Sequence, residues 1–348
     1  MKDTRGRIEY IDIAKGIGIA LVIVGHVVWG GNYPMKGAES ISNFIYSFHM
    51  PLFFIISGLC IKDSKNIAKP VLKKMARAYL LPYAIWSVLY LAVFQLDALM
   101  GHQPSIISFN NDLFDHAISD CGLAPLWFLL ALFVSEAIVI AIKNLLKMGG
   151  GGIMCLVVLA GISIGCSYWY ESIDEISILS RNWIMGTLRI APTTFYVLLG
   201  YLIKEPIKRG SQLNSAKKWI TIAIMAAIQI ALCWWWNESI DVQLFSLGNP
   251  WLYFIKGVNG SLLIVFIAQA VHSSVLIKLG QKTKELMILH HPPFYYTMIL
   301  RNLLGKLFAP NALGLIIISV VTTVCCLSID WICQGLKPYE FVMGRRSE

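Results

Sequence analysis

The sequence predicts an all-α, polytopic integral membrane protein with about ten transmembrane helices and with both termini in the cytoplasm. Of the 348 residues, 57% are hydrophobic and only 14% are charged, whereas about 25% of a soluble domain is charged. The apolar residues also occur in runs of roughly the 20 residues that a helix needs to cross a bilayer. These runs lack the alternating pattern of a membrane β-barrel, so they are predicted to be helices. This composition excludes a disordered chain, a disulfide scaffold and a nucleic-acid-binding module.

The predicted spans follow one another along the whole chain, which is expected to form a single membrane domain over residues 1–348. They lie near 13–30, 41–61, 79–97, 125–142, 153–170, 183–203, 218–236, 251–271, 286–300 and 311–333. A charged stretch precedes the first span and no small-residue cleavage site follows it, so this span is predicted to be a retained helix. No internal repeat is visible that would support an inverted-repeat transporter.

The charges of the loops predict the orientation of the chain. With the N-terminus in the cytoplasm, the internal loops and tail hold most of the 29 Lys and Arg residues, and the net charge of +9 follows from them. The opposite loops carry a series of acidic residues, namely Asp112, Asp115, Asp120, Glu171, Asp174, Glu175, Glu238 and Asp241. This asymmetry is the positive-inside pattern, which predicts cytoplasmic N- and C-termini.

The first span places two ionisable side chains, Lys15 and His26, on one helix face. Eleven residues at about 100° each amount to three turns plus about 20°, and the rise between the two positions is about 16 Å. Lys15 is predicted at the cytoplasmic edge, where an ammonium can bind a phosphate, and His26 deep in the membrane, where an imidazole can act as base or nucleophile. The alternative interpretation is a snorkelling Lys and a packed, hydrogen-bonded His.

The second span contains a further histidine, His49, and the pair Ser57 and Gly58. This span runs inward, so His49 is expected at a depth comparable to that of His26. Pro51 frees a backbone carbonyl near residue 47, which favours a polar pocket at that depth. Ser57 and Gly58 permit close helix contact or the backbone approach of a ligand, and packing alone explains both residues equally well.

Charged residues after and within the later spans provide further candidates. Lys73, Lys74 and Arg77 have helical spacing in a basic cluster; they can bind the phosphates of a cofactor or attract lipid headgroups and fix the topology. Glu136 and Arg189 lie inside spans, where ionisable groups are costly and are functional candidates. For these two, a buried ion pair between two helices is the favoured interpretation. No Cys and His spacing resembles a metal site.

Several segments, in order along the chain, resemble the membrane acyltransferase-3 family, which includes bacterial O-acetyltransferases that act on cell-surface sugars. The segments are Tyr10–Gly16 with Asp12 and Lys15, leading to His26; Phe48–Phe54 with His49, then Ser57 and Gly58; the pair Lys74 and Arg77; Leu126–Leu129; Arg189 before Leu199–Tyr201; and Leu279–Thr283 before Leu289 and His290. Family members often have Arg where this chain has Lys15 and Lys74, which implies weaker bidentate recognition of phosphate. Lys284 and Glu285 stand where the family more often has an apolar residue. The chain resembles the stand-alone form of the family, without a fused extracytoplasmic domain.

The resemblance implies an enzyme of the bacterial cytoplasmic (inner) membrane. It would move an acyl group, with acetyl as the expected group, from cytoplasmic acyl-CoA to a hydroxyl of a cell-surface or lipid-linked sugar. The catalytic residues implied are His26 and His49, with His26 as general base or as carrier of the acyl group. Acetyl-CoA is the expected co-substrate, and no metal is expected. The residues expected to bind acetyl-CoA are Lys15, Lys73, Lys74, Arg77 and Ser57. The expected structural or substrate-pocket residues are Asp12, Glu136, Arg189 and His290. Membrane lipids are expected partners and nucleic acid is not.

Two other functions compete with the enzyme. The first is a transporter or flippase for a glycan or an acylated intermediate, in which His26, Glu136 and Arg189 relay protons or bind substrate. The absence of repeats and the cations expected at the cytoplasmic surface argue against it. The second is a non-catalytic membrane scaffold, which predicts no binding of acyl-CoA.

Overall fold

The computed structural model describes residues 7–29, 33–62, 68–99, 124–143, 146, 150–173, 178–290, 303 and 310–345, and the regular elements in these ranges are all helices. The helices are α1 (Glu9–Val28), α2 (Ala38–Tyr46), α3 (His49–Cys60), α4 (Ala68–Met75), α5 (Leu81–Leu99), α6 (Trp127–Ile142), α7 (Gly151–Glu171), α8 (Ile178–Leu188), α9 (Ile190–Leu202), α10 (Lys204–Gly210), α11 (Ser215–Trp235), α12 (Pro250–Ala270), α13 (Ser274–Gln281), α14 (Thr283–Leu289), α15 (Ala312–Cys333) and α16 (Lys337–Val342). A π-helical turn, Ala76–Leu80, joins α4 to α5. The prediction of an all-α fold is confirmed for these residues.

Six helical segments in the described ranges are long and apolar enough to cross a membrane. They are α1, the pair α2 and α3 taken together, α7, α11, α12 and α15, and the shorter apolar helix α6 adds to them. The protein is therefore an integral membrane protein. Helices α5, α6, α8 and α9 also coincide with predicted spans, whereas the span expected near 286–300 lies largely outside the described residues. The total of ten spans and the orientation of the termini stay predictions.

The second predicted span, near 41–61, is broken into two helices instead of continuing as one. Helix α2 ends at Tyr46 and α3 begins at His49, with the backbone of Phe48 between them at φ −145° and ψ −12°. Pro51 is the third residue of α3, within the first turn, where the missing N–H of proline is tolerated. The break brings Tyr46 and His49 to adjoining helix ends.

Helix α1 lies at the centre of the described bundle and packs against α2, α3, α12, α13, α14 and α15. Some of these helices touch backbone to backbone at glycines. At Gly16, for example, a Cβ atom would overlap the backbone of Leu276 in α13, so only glycine fits there. Helices α3 and α9 approach in the same way: a Cβ on Gly58 would overlap the carbonyl oxygen of Val197. The close helix contact predicted for Gly58 is thus confirmed.

Helices α7 and α11 form the outside of the bundle. In the apolar windows of these helices only 22% and 11% of the residues are buried, and the exposed side chains include Ile153, Val157, Ile220 and Ile224. A helix that is apolar on its exposed face as well as its packed face is typical of a protein surrounded by lipid. Helices α7 and α11 are therefore the helices expected to face lipid.

Candidate active site

A cavity of about 240 Å³ follows one side of α1. Its wall includes Ile19 near the middle of that helix and Trp29 directly after its end, a distance of about 15 Å along the helix axis. The side chains that line it include three histidines, a tyrosine, an aspartate and a tryptophan, namely His26, His49, His290, Tyr46, Asp241 and Trp127. We refer to the two ends of the bundle as the Lys15 end and the Trp29 end.

His26 faces this cavity from α1 and is half-buried. Its Nδ1 lies 3.4 Å from the hydroxyl oxygen of Tyr46, and its ring centroid lies 5.1 Å from that of His290. In the tautomer whose Nδ1–H donates to Tyr46, the lone pair is at Nε2, as a general base requires. The imidazole is directed into the interior of the protein and not toward lipid.

His49 and His290 line the same cavity, and each ring is held by a backbone carbonyl four residues earlier in the chain. Nδ1 of His49 lies 3.0 Å from the carbonyl oxygen of Ile45, and Nδ1 of His290 lies 2.7 Å from that of Leu286. Since only an N–H can bond to a carbonyl oxygen, each ring carries its proton at Nδ1 and its lone pair at Nε2. The sequence placed His26 and His49 at similar depths, and the structure brings both together with His290.

Two site residues were not predicted from the sequence: Tyr46, an ordinary member of an apolar span, and Asp241, which was counted only among the acidic loop positions. Residues 241–246 form a tight hairpin in which Asp241 and Ser246 exchange backbone hydrogen bonds of 2.7 and 2.9 Å. Burial raises the pKa of Asp241, and the positive charge of Arg189 opposes that rise. The available signal was the local pattern, in which Asp241 stands between Ile240 and Val242, two buried apolar residues.

A second polar cluster lies at the Lys15 end. The hydroxyl groups of Ser57 and Tyr79 donate hydrogen bonds to Oε1 of Glu136, that from Tyr79 over 3.2 Å, and Glu136 is buried. Lys15 is half-buried, and its positive charge attracts the carboxylate of Glu136. Lys15 also precedes Ile19 by one helical turn, which places it about 6 Å along α1 from the end of the cavity. Asp12 is buried nearby and accepts a hydrogen bond of 3.4 Å from Gln281.

The expected ion pair between Glu136 and Arg189 is wrong. Arg189 is 1% exposed, donates to the carbonyl oxygen of Gln243 over 2.8 Å and lies over the ring of Trp127, 5.3 Å from its centroid. Trp127 begins α6, and Glu136 lies nine residues further along it, about 13 Å away. Arg189 therefore lies at the Trp29 end of the bundle and Glu136 lies toward the Lys15 end.

The basic cluster after α3 is exposed, and Arg77 contacts the C-terminal segment. Lys73, Lys74 and Arg77 are exposed, and Nη2 of Arg77 donates to the carbonyl oxygen of Arg345 over 3.0 Å. The guanidinium of Arg345 in turn contacts the carboxylates of Glu285, Asp330 and Glu340. This network explains the departure from the family pattern at Lys284 and Glu285, because Glu285 is buried as a partner of Arg345 and Nζ of Lys284 donates to the carbonyl oxygen of Met343.

The fold and the cavity define a class of protein: an integral membrane helix bundle in which bases and acids are gathered inside one cavity. Among the described residues, no group of three or more His, Cys, Asp or Glu side chains is arranged to hold a metal ion. The chain belongs to the acyltransferase-3 family, since the family model described as an acyltransferase domain matches residues 8–331. The resemblance to this family is therefore confirmed.

The chain is also similar to the nodulation protein NolL of Mesorhizobium japonicum, with 27% identity over 244 residues. This alignment covers 68% of the chain and 58% of NolL, so the chain spans less than two thirds of the length of that relative. No solved structure matches the chain.

Proposed function

We propose that the protein is an O-acyltransferase that moves an acetyl group from acetyl-CoA, bound at the Lys15 end, to a hydroxyl of a cell-surface or lipid-linked sugar at the Trp29 end. The single observation that carries this proposal is the cavity along α1. It contains His26 near the Trp29 end and stops about one helical turn short of Lys15, so a base inside the cavity and a cation beyond its inner end lie along the same helix.

The orientation is part of the proposal. The N-terminus and the Lys15 end lie in the cytoplasm, because the loops expected at that side carry the excess of Lys and Arg residues. The protein then lies in the cytoplasmic membrane of a bacterium, with the Trp29 end facing the acceptor. Acyl-CoA is made in the cytoplasm and cell-surface glycans lie outside, so the proposed reaction moves the acyl group from one compartment to the other.

His26 acts as the general base in the proposed reaction. Nε2 of His26 takes the proton of the acceptor hydroxyl while the oxygen attacks the thioester carbonyl; the C–S bond breaks, and the CoA sulfur leaves and receives the proton. Tyr46 orients the imidazole through Nδ1, 3.4 Å from its hydroxyl oxygen. His49 offers a second lone pair at Nε2 in the same cavity, as an alternative acceptor for the proton.

The residues of the Lys15 end bind the donor. The ammonium of Lys15 holds a phosphate of CoA as a compact cation, and the exposed Lys73, Lys74 and Arg77 supply further positive charge at the entrance. The hydrogen bonds of Ser57 and Tyr79 to Glu136 keep that buried carboxyl group satisfied next to the path of the pantetheine arm. Positive charge at this end and a base at the other match the two ends of an acyl-CoA thioester.

One experiment separates the enzyme from a transporter and from a scaffold. The purified protein is placed in detergent, where no compartments exist, with radiolabelled acetyl-CoA and a glycan fraction from the source cells, and release of free CoA and labelling of the glycan are measured. The proposal predicts both. A transporter would leave the thioester intact, and a scaffold would not bind acetyl-CoA, so an intact thioester with the wild-type protein rejects the proposal.

A further inference from the structure

The hairpin at residues 241–246 forms part of the wall of the cavity at the Trp29 end. Four consecutive residues, Asp241 to Leu244, line the cavity. The hairpin is anchored on both sides by buried apolar side chains, since Val242 is 3% exposed and Leu247 is fully buried. Phe245 has a φ of +53°, a conformation that is strained for an aromatic residue and persists only where the surroundings impose it. The hairpin is therefore held in a fixed conformation as part of the cavity wall.

The carboxylate of Asp241 has one oxygen engaged in the hairpin. Its Oδ1 accepts the backbone N–H groups of Gln243 and Leu244 over 2.9 and 3.2 Å. Among the described residues, none donates a hydrogen bond to Oδ2. Asp241 is half-buried and lines the cavity, so Oδ2 can accept hydrogen bonds from a ligand that brings hydroxyl donors.

Aromatic side chains and a buried arginine complete this half of the cavity. Trp127, Tyr46 and Trp29 line it with Asp241, and aromatic rings of this kind offer an apolar face beside a polar edge. Arg189 fixes the position of two parts of the wall, because it donates to the carbonyl oxygen of Gln243 and lies over the ring of Trp127.

The charge of this end also distinguishes it from the donor side. Within the described part of the chain, no Lys or Arg side chain lines the cavity, and Asp241 is its acidic residue. A phosphate group would be repelled by that carboxylate, whereas the hydroxyl groups of an uncharged sugar would donate to it. The two ends therefore have opposite preferences for charge.

We propose that the hairpin from Asp241 to Leu244 is the acceptor-binding half of the cavity, and that Oδ2 of Asp241 accepts hydrogen bonds from hydroxyl groups of an uncharged sugar. This inference rests on the proposed acyl transfer. Asp241 is then a specificity-determining residue that touches the acceptor, while His26 performs the chemistry.

The test uses the substitution Asp241→Asn, which keeps Oδ1 as an acceptor for the turn but removes the charge of the carboxylate. The matched control is Glu238→Gln, because Glu238 is the other carboxylate that supports this loop, through the N–H of Asn249 over 2.7 Å, and it does not line the cavity. Two quantities are measured for each variant. One is the cleavage of acetyl-CoA by the purified protein without acceptor; the other is the acetyl content of surface glycans, by mass spectrometry, in source cells that carry the variant in place of the wild type.

We expect Asp241→Asn to lower glycan acetylation about tenfold or more, the effect of losing a hydrogen bond to a charged group. Cleavage of acetyl-CoA without acceptor, in which water takes the place of the sugar hydroxyl, should fall by much less. Glu238→Gln should change neither quantity. Wild-type glycan acetylation in Asp241→Asn would overturn the inference, as would an equal loss of both quantities, because that result describes a structural role. If the wild-type protein neither cleaves acetyl-CoA nor acetylates glycans, the proposed function itself fails.

Discussion

The close contact between α3 and α9 positions the polar cluster of Ser57, and the substitution Gly58→Ala tests it. A Cβ at this position would overlap the carbonyl oxygen of Val197 and lie 2.7 Å from the backbone nitrogen of Tyr201. Ordinary contact begins at 3.4 Å, so relieving the contact with this nitrogen requires a separation of at least 0.7 Å, and relieving the overlap with the carbonyl oxygen requires more.

The magnitude follows from the packing that this separation removes. A gap of about 0.5–1 Å forfeits a quarter to a half of the attraction of each atomic contact, and overpacked cores lose about 1–3 kcal/mol. The higher helix propensity of Ala returns at most about 1 kcal/mol. We expect Gly58→Ala to lower the free energy of unfolding by about 1–2 kcal/mol and to slow the cleavage of acetyl-CoA, because the neighbouring Ser57 is displaced.

The assay is reversible denaturation of the purified protein in one detergent, with Gly161→Ala in α7 as the matched control. A Cβ on Gly161 would meet no atom within 4 Å, so this variant should be as stable as the wild type or slightly more stable. If the Gly58→Ala and Gly161→Ala proteins unfold at the same denaturant concentration, the account of the α3 and α9 contact is refuted.

Three further predictions concern donor binding, the Arg345 network and the orientation of the chain. Lys15→Ala should raise the KM for acetyl-CoA about tenfold with kcat nearly unchanged, because it removes ground-state binding of a phosphate. Substitution of the exposed Lys208 by Ala serves as the control. An unchanged KM for Lys15→Ala would eliminate Lys15 as a donor contact. Arg345→Ala should lower the free energy of unfolding by about 3 kcal/mol, because Glu285 is left as a buried carboxylate without its cation, while Asp330 keeps Lys282. Equal denaturation midpoints for variant and wild type would contradict the role of this network. A cysteine introduced at exposed Ser239 should react with an impermeant maleimide in intact cells, and one at Lys208 only after permeabilisation; the reverse pattern would show that the orientation is inverted.

The general features of the fold follow from the sequence because they depend on local composition. Runs of apolar residues near the length of a span predict helices without any knowledge of tertiary contacts, and α1, α7, α11, α12 and α15 occur where these runs predict them. The period of 3.6 residues also sets Lys15 and His26 on one face of α1, in a helix that extends without interruption over both residues. The order of the short motifs was enough to identify the family.

The partners of the buried polar groups did not follow from the sequence, because they depend on which helices become neighbours. Glu136 was expected to pair with Arg189, yet its partners are Ser57 and Tyr79. Both are uncharged, so no charge pattern indicates them.

The outer wall of the site was missed for a related reason. Asp241 lies in a loop, where an acidic residue is ordinary, and only the folding of the hairpin against the helix ends places it beside the histidines. The break between α2 and α3 was also missed, since residues 41–61 are mostly apolar and Pro51 is compatible with the first turn of a helix.

The central claim is that the imidazole of His26 performs the acyl transfer, and the most direct measurement compares His26→Ala with His272→Ala. His272 is exposed at the surface beside Glu9, so both variants lose one imidazole but only the first loses it from the cavity. The rate of acetyl transfer by each purified protein is measured with saturating acetyl-CoA and the same glycan fraction. We predict a loss of about 10²–10⁴-fold for His26→Ala and a wild-type rate for His272→Ala. A folded His26→Ala protein that transfers acetyl groups at the rate of the His272→Ala protein would contradict the claim.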